Sequence, residues 1–256
     1  MLSLNLALRR GRANLTAWRA SAILLACLIM ACGVVGVDKT PAYRYRLTVE
    51  VETPEGLRSG SSVIEVQTSL ASSSSIASPG SVSHRVRGEA VVVDLPDSRT
   101  LFALLRSDVD MDWASRVMFM LARQGVPDAE DPFLARFNNL LKLKGTIELP
   151  RTWQDVAHRN EESAYPMLVT FDDLDEPTSV DRVDPENLAA KFGAGFSLKR
   201  ITVELTDSKV SSGLRGRLKW LSDYPEPRLD PEYEGSTDPN LSQRLWHGDF
   251  IKEKHQ

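Results

Sequence analysis

Ala20 to Val37 is an unbroken apolar run of eighteen residues in which Ser21 is the sole polar side chain. Four arginines precede it (Arg9, Arg10, Arg12 and Arg19), and the first acid of the chain is Asp38. That is the charge layout of a segment that enters a membrane with its N-terminus left in the cytoplasm. As a helix rising about 1.5 Å per residue, the run spans about 27 Å, against a hydrocarbon core of about 30 Å. Trp18 sits at one edge, and Tyr43 and Tyr45 lie just past the other, where amphipathic rings favour the interface. A core helix of a soluble domain would carry a polar face, which this run lacks.

The run has more than one reading. As an uncleaved signal anchor it continues through Gly33-Val34-Val35-Gly36-Val37, which stays apolar. As a cleaved signal, Ile29-Met30-Ala31 before Cys32 resembles a bacterial lipobox, with Met30 unusual for the pattern. Leu24-Leu25-Ala26 before Cys27 matches better by letter, but it leaves only Ser21 to Ala26 as apolar region, too short for a signal core of about 7–15 residues. A third reading is ordinary cleavage at the small residues Ala31-Cys32-Gly33. Each leaves residues 1–19 as a basic cytoplasmic N-terminus, 20–37 as transmembrane helix or lipoprotein signal, and 38–256 as an extracytoplasmic body.

Residues 1–37 hold four of the 31 Lys and Arg and none of the 35 Asp and Glu, so the body carries 27 cations against 35 acids, a net charge of −8. An acidic body argues against nucleic acid as a partner and against a polybasic grip on anionic lipid. Both cysteines, Cys27 and Cys32, lie inside the apolar run. The body therefore forms no disulfide and has no thiol nucleophile or cysteine zinc ligand.

Along the body the pattern is α+β. Tyr43, Tyr45, Leu47, Val49 and Val51 alternate with polar residues as in a half-buried strand. Thr53-Pro54-Glu55-Gly56 has turn chemistry, Val63 begins a second strand, Val86 to Leu95 reads as a third and Leu101 to Leu105 as a fourth, together an antiparallel sheet. Ala71 to Ser81 is a Ser-rich loop. Trp113, Val117, Met120 and Leu121 then recur at helical spacing. A second helix is predicted from its cap Asp131 and Pro132, through the stripe Phe133, Leu134, Phe137, Leu140 and Leu141, to Gly145. The second half is mixed: a buried strand at Met167–Phe171, a helix opened by Asp184-Pro185 and closed by Gly193, an alternating strand at Lys199–Thr206, and a short helix at Leu214–Leu221. The apolar tail Leu245–Ile251 is expected to dock back on the body. A division of the body into a β-rich part, 38–106, and a mixed part, 107–256, is compatible with this pattern.

The run Met167-Leu168-Val169-Thr170-Phe171-Asp172-Asp173, with Val183-Asp184-Pro185, Phe192-Gly193-Ala194-Gly195 and Leu198 to Thr206, resembles a group of uncharacterised proteobacterial envelope proteins, membrane-anchored or lipoproteins. Tyr43 to Val66 resembles the start of their bodies. The resemblance covers about a third of the chain; it implies a bacterial envelope location and brings no activity with it.

Candidate chemistry is sparse. Asp172, Asp173, Asp175 and Glu176 follow a strand, where acids can bind a divalent cation or pair as general acid and base; a solvated turn is the plainer reading. His84, His158, His247 and His255 are scattered, and His247, inside Trp246-His247-Gly248-Asp249, is the one worth testing. No GxSxG elbow accompanies Gly60-Ser61-Ser62 or Gly80-Ser81. Phe192-Gly193-Ala194-Gly195 precedes a strand and so lacks the context of a phosphate cradle. Trp220 and Tyr224 are the best surface aromatics, with Trp113, Trp153, Trp246 and Tyr233 behind them, although core burial is the default for such side chains.

The sequence thus predicts no catalytic residue, no metal site and no cofactor. It predicts a membrane-anchored envelope protein that binds an envelope protein or component through a periplasmic body, with no nucleic-acid partner. The weak candidates are Asp172, Asp173 and His247, and Cys32 is the candidate for lipidation, which would open sorting to the outer membrane. The competing reading is a carboxylate-dependent envelope hydrolase built on the acids after Phe171.

Overall fold

The computed structural model describes residues 37–71, 81–123, 132–154, 161–222, 228–230 and 239–253. Residues 20–36, Cys32, Asp131, His158, His255, Tyr224 and Tyr233 lie outside these. The chain divides into two units, residues 1–38 with 70–82 and residues 39–69 with 83–256. Almost all described residues belong to the second unit.

The elements run β1 (Val37–Lys39), β2 (Tyr43–Thr53), β3 (Gly56–Ala71), β4 (Val82–Glu89), β5 (Val91–Asp94) and β6 (Thr100–Ala103). Two helices follow, α1 (Trp113–Ala122) and α2 (Pro132–Leu140), then β7 (Ile147–Glu148), β8 (Thr152–Gln154), β9 (Glu161–Ser163), β10 (Leu168–Phe171) and β11 (Val180–Val183). Helical turns at Ala189–Phe192, Leu214–Arg217, Leu241–Arg244 and His247–Phe250 surround β12 (Ser197–Leu205) and precede β13 (Ile251–Lys252). The fold is α+β, with antiparallel sheets and few helices.

The first sheet is ordered β13-β4-β3-β2-β12-β7, with β1 also on β3. Its centre is β2, whose odd-numbered residues from Tyr43 to Val51 are all buried while the even-numbered ones are half-buried, as the two-residue strand period requires. β2 turns into β3 through Pro54-Glu55, in register from Thr53 opposite Gly56 to Tyr43 opposite Val66. Gly56 takes φ 105° there, a backbone open to glycine at little cost. On the other side β12 pairs with β2 from Leu205 opposite Tyr45 to Ser197 opposite Glu52. Cross-strand ion pairs Arg200–Glu50 at 2.9 Å and Lys199–Glu52 at 3.0 Å line the solvent face; at that exposure they specify register more than stability.

The third predicted strand, Val86 to Leu95, is two strands in different sheets. The chain breaks at Gly88–Ala90: β4 stays in the first sheet, and β5 enters a second sheet ordered β11-β10-β6-β5. Gly88 sits at φ 155°, and the Ala90 amide, freed from the first sheet, donates to the Phe250 carbonyl at 2.7 Å. Where the sheets cross, a Cβ on Gly60 would fall 1.9 Å from the Val92 carbonyl oxygen. Glycine is what lets β3 lie against the β5 backbone.

The second sheet is covered on both faces, which explains the continuous apolar runs of β6 and β10. Val91, Val93, Leu101, Ala103, Leu168 and Val183 face a core shared with β2 and the two helices. Phe102, Val169, Phe171 and Val180 face a second core filled by Leu214, Leu218, Trp220, Leu221, Leu245 and Phe250. Residues from Leu214 to Ile251 thus build a further layer over the outer face of the second sheet, the third layer of the body. The apolar tail docks as its composition predicts: β13 pairs Ile251 with Glu89 and Lys252 with Gly88.

α1 buries Trp113, Ala114, Val117 and Met118, and the Tyr45 hydroxyl donates to the Ala114 carbonyl at 2.7 Å. α2 buries Phe137 and Leu140 and stacks Phe133 on Phe119 of α1, ring centres 5.7 Å apart. The helix expected to open at Asp184-Pro185 is a single turn at Ala189–Phe192. The Asp184 carboxylate accepts the Glu186 amide at 2.9 Å and its carbonyl accepts the Asn187 amide, so the first four residues form a side-chain-capped turn instead. Gly193, at φ 94°, ends that turn as expected.

Candidate functional site

The acids after Phe171 connect two antiparallel strands, since Phe171 pairs with Val180. Reversing the chain over eight residues consumes their hydrogen-bonding capacity. The Asp173 carboxylate accepts the Asp175 amide at 2.9 Å, and Ser179 Oγ bridges the Asp173 and Glu176 carbonyls. The Glu176 carboxylate accepts the Thr178 hydroxyl at 2.6 Å and its amide at 3.2 Å, which holds its pKa below the usual carboxylate value. Asp172 meets Lys191 at 3.1 Å, and the same ammonium meets Asp181 on β11. Its hydrogen bond to Asp181 raises the Lys191 pKa. Asp175 pairs with Lys219 at 3.7 Å. Each carboxylate is thus committed to a turn or a cation, and they do not converge. Among the described residues no group of three or more His, Cys, Asp or Glu is placed to hold a metal ion.

His247 lies on the helical turn His247–Phe250, with Nε2 3.1 Å from the Leu221 carbonyl, so it joins the tail to the segment beneath it. His84 Nδ1 lies 3.1 Å from Thr68 Oγ1, and its ring is 5.6 Å from that of Phe119. Desolvation lowers its pKa; Asp112 opposes that and Arg116 adds to it. Trp220 belongs to the second core and donates Nε1–H to the Leu174 carbonyl at 3.1 Å. Trp246 is more open, with the Arg228 guanidinium 4.9 Å from its ring centre.

A different segment carries the exposed apolar surface. Between β6 and α1 the chain reads Ser107-Asp108-Val109-Asp110-Met111-Asp112, and Val109 and Met111 are 66% and 62% exposed. The loop beneath them is heavily pinned. Ser107 Oγ accepts the amides of Val109 and Asp110, and the Ser107 amide donates to the Asp110 carbonyl at 2.9 Å. The Asp110 carboxylate accepts the Asp112 amide at 2.9 Å and pairs with Arg116, also at 2.9 Å. Arg182 of β11 holds Asp108, and Lys252 Nζ donates to the Met111 carbonyl at 3.4 Å. Two large apolar side chains are thus displayed on a fixed backbone, the arrangement that lets an interface form with little ordering cost. Sequence reasoning passed over this segment. The alternation of Val109 and Met111 with three aspartates is a visible signal, but it reads as a strand fragment unless the loop is known.

Beside the loop a small cleft is lined by Ser107, Asp110, Trp113, Arg116, Trp153 and Glu162, among others. Its enclosed space holds about one water molecule, too little to bury a small-molecule substrate. Next to Ser107 in the chain, Arg106 approaches Asp249 to 3.6 Å, both side chains largely buried. Burial raises the Asp249 pKa, and the Trp246 amide, bound at 2.8 Å, together with Arg106 offsets part of that rise.

No protein-family model, no curated protein and no solved structure matches the chain.

Proposed function

We propose that the protein is a membrane-tethered, non-enzymatic binding module of the bacterial envelope, whose periplasmic body docks a protein partner through Val109 and Met111. The observation that carries the reading is the pinned loop 107–112 with its two apolar side chains in solvent. The apolar run at residues 20–37 and its arginine flank support the tether, and the resemblance to proteobacterial envelope proteins supports the location. Cys32 separates a lipid anchor from a helical one: a mass beginning at Cys32 plus lipid, lost in Cys32→Ser, marks the lipoprotein. Among the described residues no helix is long and apolar enough to cross a membrane. The geometry at Asp172 and Asp173 gives the hydrolase reading no added support, because Asp172 pairs with Lys191 and the Asp173 carboxylate accepts the Asp175 amide within the turn.

The partner face implied is an apolar cup that takes Val109 and Met111, since Asp108 and Asp110 are already paired with Arg182 and Arg116. Capture from detergent-solubilised membranes with wild type and with the Val109→Asp/Met111→Asp variant tests it. A protein retained by the wild type and lost with the variant is expected. The same proteins captured by both, at the same melting temperature, would remove the loop from the reading. Hydrolysis of an envelope substrate that disappears in Asp172→Asn or Asp173→Asn would replace the reading with the carboxylate enzyme.

A further inference from the structure

We infer that Met111 is a reversible oxidation site, and that hydrogen peroxide switches off the docking loop by converting its thioether to the sulfoxide. The inference rests on the docking reading above.

Three observations carry it. First, exposure singles out one sulfur. Among the described residues Met118 is fully buried, Met167 is 7% exposed and Met120 is half-buried, whereas Met111 is 62% exposed. Oxidation follows access of the oxidant to sulfur, so Met111 reacts while the methionines of the core are shielded. Cys27 and Cys32 both precede the body, so no thiol of the body competes for the oxidant.

Second, the loop does not depend on the side chain that would change. The Asp110 carboxylate holds the Asp112 amide and Arg116, and Lys252 holds the Met111 carbonyl. The backbone therefore keeps its shape in either form of the sulfur, and the change stays on the surface. The same oxidation at Met118 would force a polar group into the core beneath α1.

Third, the sulfur is half of the apolar pair that docks. A sulfoxide oxygen accepts hydrogen bonds, and an apolar cup has none to give, so seating it there leaves a buried acceptor unsatisfied. Val109 has nothing to oxidise, so reducing the sulfoxide returns the whole site.

The chemistry is a two-electron transfer. A lone pair on Met111 Sδ attacks one oxygen of hydrogen peroxide; the S–O bond forms as the O–O bond breaks. The other oxygen leaves as hydroxide and takes the proton of the transferred oxygen, so the products are the sulfoxide and water. Sulfur is oxidised by two electrons and the peroxide is reduced. A net charge of −8 on the body, with three aspartates in the loop, repels anionic oxidants and leaves this small neutral one unopposed.

The test uses the full chain in detergent micelles, with a photo-crosslinking amino acid in place of Asp112. The chain is treated with hydrogen peroxide, freed of it by catalase, and mixed with solubilised membranes that were never oxidised. Peptide masses follow the gain of oxygen at each methionine. Met111 should oxidise about tenfold faster than Met118 and Met167, or more, at an unchanged melting temperature. A cross-link that Val109→Asp/Met111→Asp lacks should fall by about tenfold or more on oxidation, and methionine sulfoxide reductase should restore it. Met111→Gln, with an amide where the sulfoxide would stand, should lack that cross-link before any peroxide is added. Oxidation of Met111 no faster than of the buried methionines overturns the inference. So does a cross-link that survives full oxidation of Met111, that Met111→Gln keeps, or that the reductase does not restore; each of these leaves the docking reading standing. A chain that forms no cross-link before oxidation removes the docking reading and the inference with it.

Discussion

Phe250→Ala puts the three-layer architecture to a quantitative test. The Phe250 side chain is fully buried, and its ring centre lies 5.6 Å from Trp220, 5.8 Å from Phe171 and 6.5 Å from Phe102. Two of those partners belong to the middle sheet and one to the outer layer, so the ring is the shared filling between them. Truncating a buried phenylalanine costs about 3–5 kcal/mol, from lost transfer free energy plus the cavity left behind. Little relaxation is available here, because the Phe250 carbonyl is tied to the Ala90 amide at 2.7 Å and the neighbouring Asp249 carbonyl to the Leu105 amide at 2.8 Å. With an unfolding entropy of about 2.1 cal/mol/K per residue over a body of about 220 residues, that cost lowers Tm by about 7–11 °C. The assay is thermal unfolding of the full chain in detergent micelles, followed by near-ultraviolet circular dichroism. Deleting residues 241–256 should lower Tm further, since it removes the whole tail. A shift under about 2 °C for Phe250→Ala would mean that the tail is not part of the core, and the third layer would have to be abandoned.

Three further predictions rest on single contacts. Gly60→Ala forces a Cβ onto the Val92 carbonyl; backbone cannot yield as a side chain does, so a loss of about 3 kcal/mol or more is expected, read as a denaturant midpoint shift at unchanged m. Tyr45→Phe leaves the buried Ala114 carbonyl without the hydroxyl that donates to it at 2.7 Å, at a cost of about 1–2 kcal/mol, with the same assay. Burial raises the Asp249 pKa above its unfolded value, so the folded state binds more protons and the wild type loses stability as pH rises from the unfolded pKa through the folded one. Asp249→Asn removes that loss. The Tm difference between the two proteins should therefore change between pH 3 and pH 7, in the direction that penalises the wild type at the higher pH, and a difference constant with pH would refute it.

What was legible in the sequence was whatever a local period records. The alternation from Tyr43 to Val51 is the signature of one buried face, and that face is buried. The apolar run Met167–Phe171 reads as a strand covered twice, and it is. What no local pattern records is pairing between distant segments. Val86 to Leu95 is one apolar stretch, but its first half pairs with β3 and its second half with β6, and the switch turns on Gly88 and on a carbonyl from Phe250. Asp184-Pro185 resembles a helix start, but the side-chain cap there closes a turn first. At the candidate site, Asp172 to Glu176 were legible as loop acids, and the hydrogen bonds agree. Val109 and Met111 were not singled out, because two exposed apolar residues among aspartates acquire meaning only once the backbone beneath them is seen to be fixed.

The layering also sets a timetable for synthesis. Phe171 leaves the ribosome about eighty residues ahead of Phe250, an interval of about 4–16 s at ordinary elongation rates. During it the outer side of the middle sheet, with Phe102, Val169 and Phe171, has nothing to rest against. β2, near the start of the body, waits longer still for β12. A nascent chain of this design stays unfinished until Phe250 and Ile251 arrive. It is open to chaperones throughout that interval, and a product truncated before residue 250 keeps the outer side of the middle sheet uncovered.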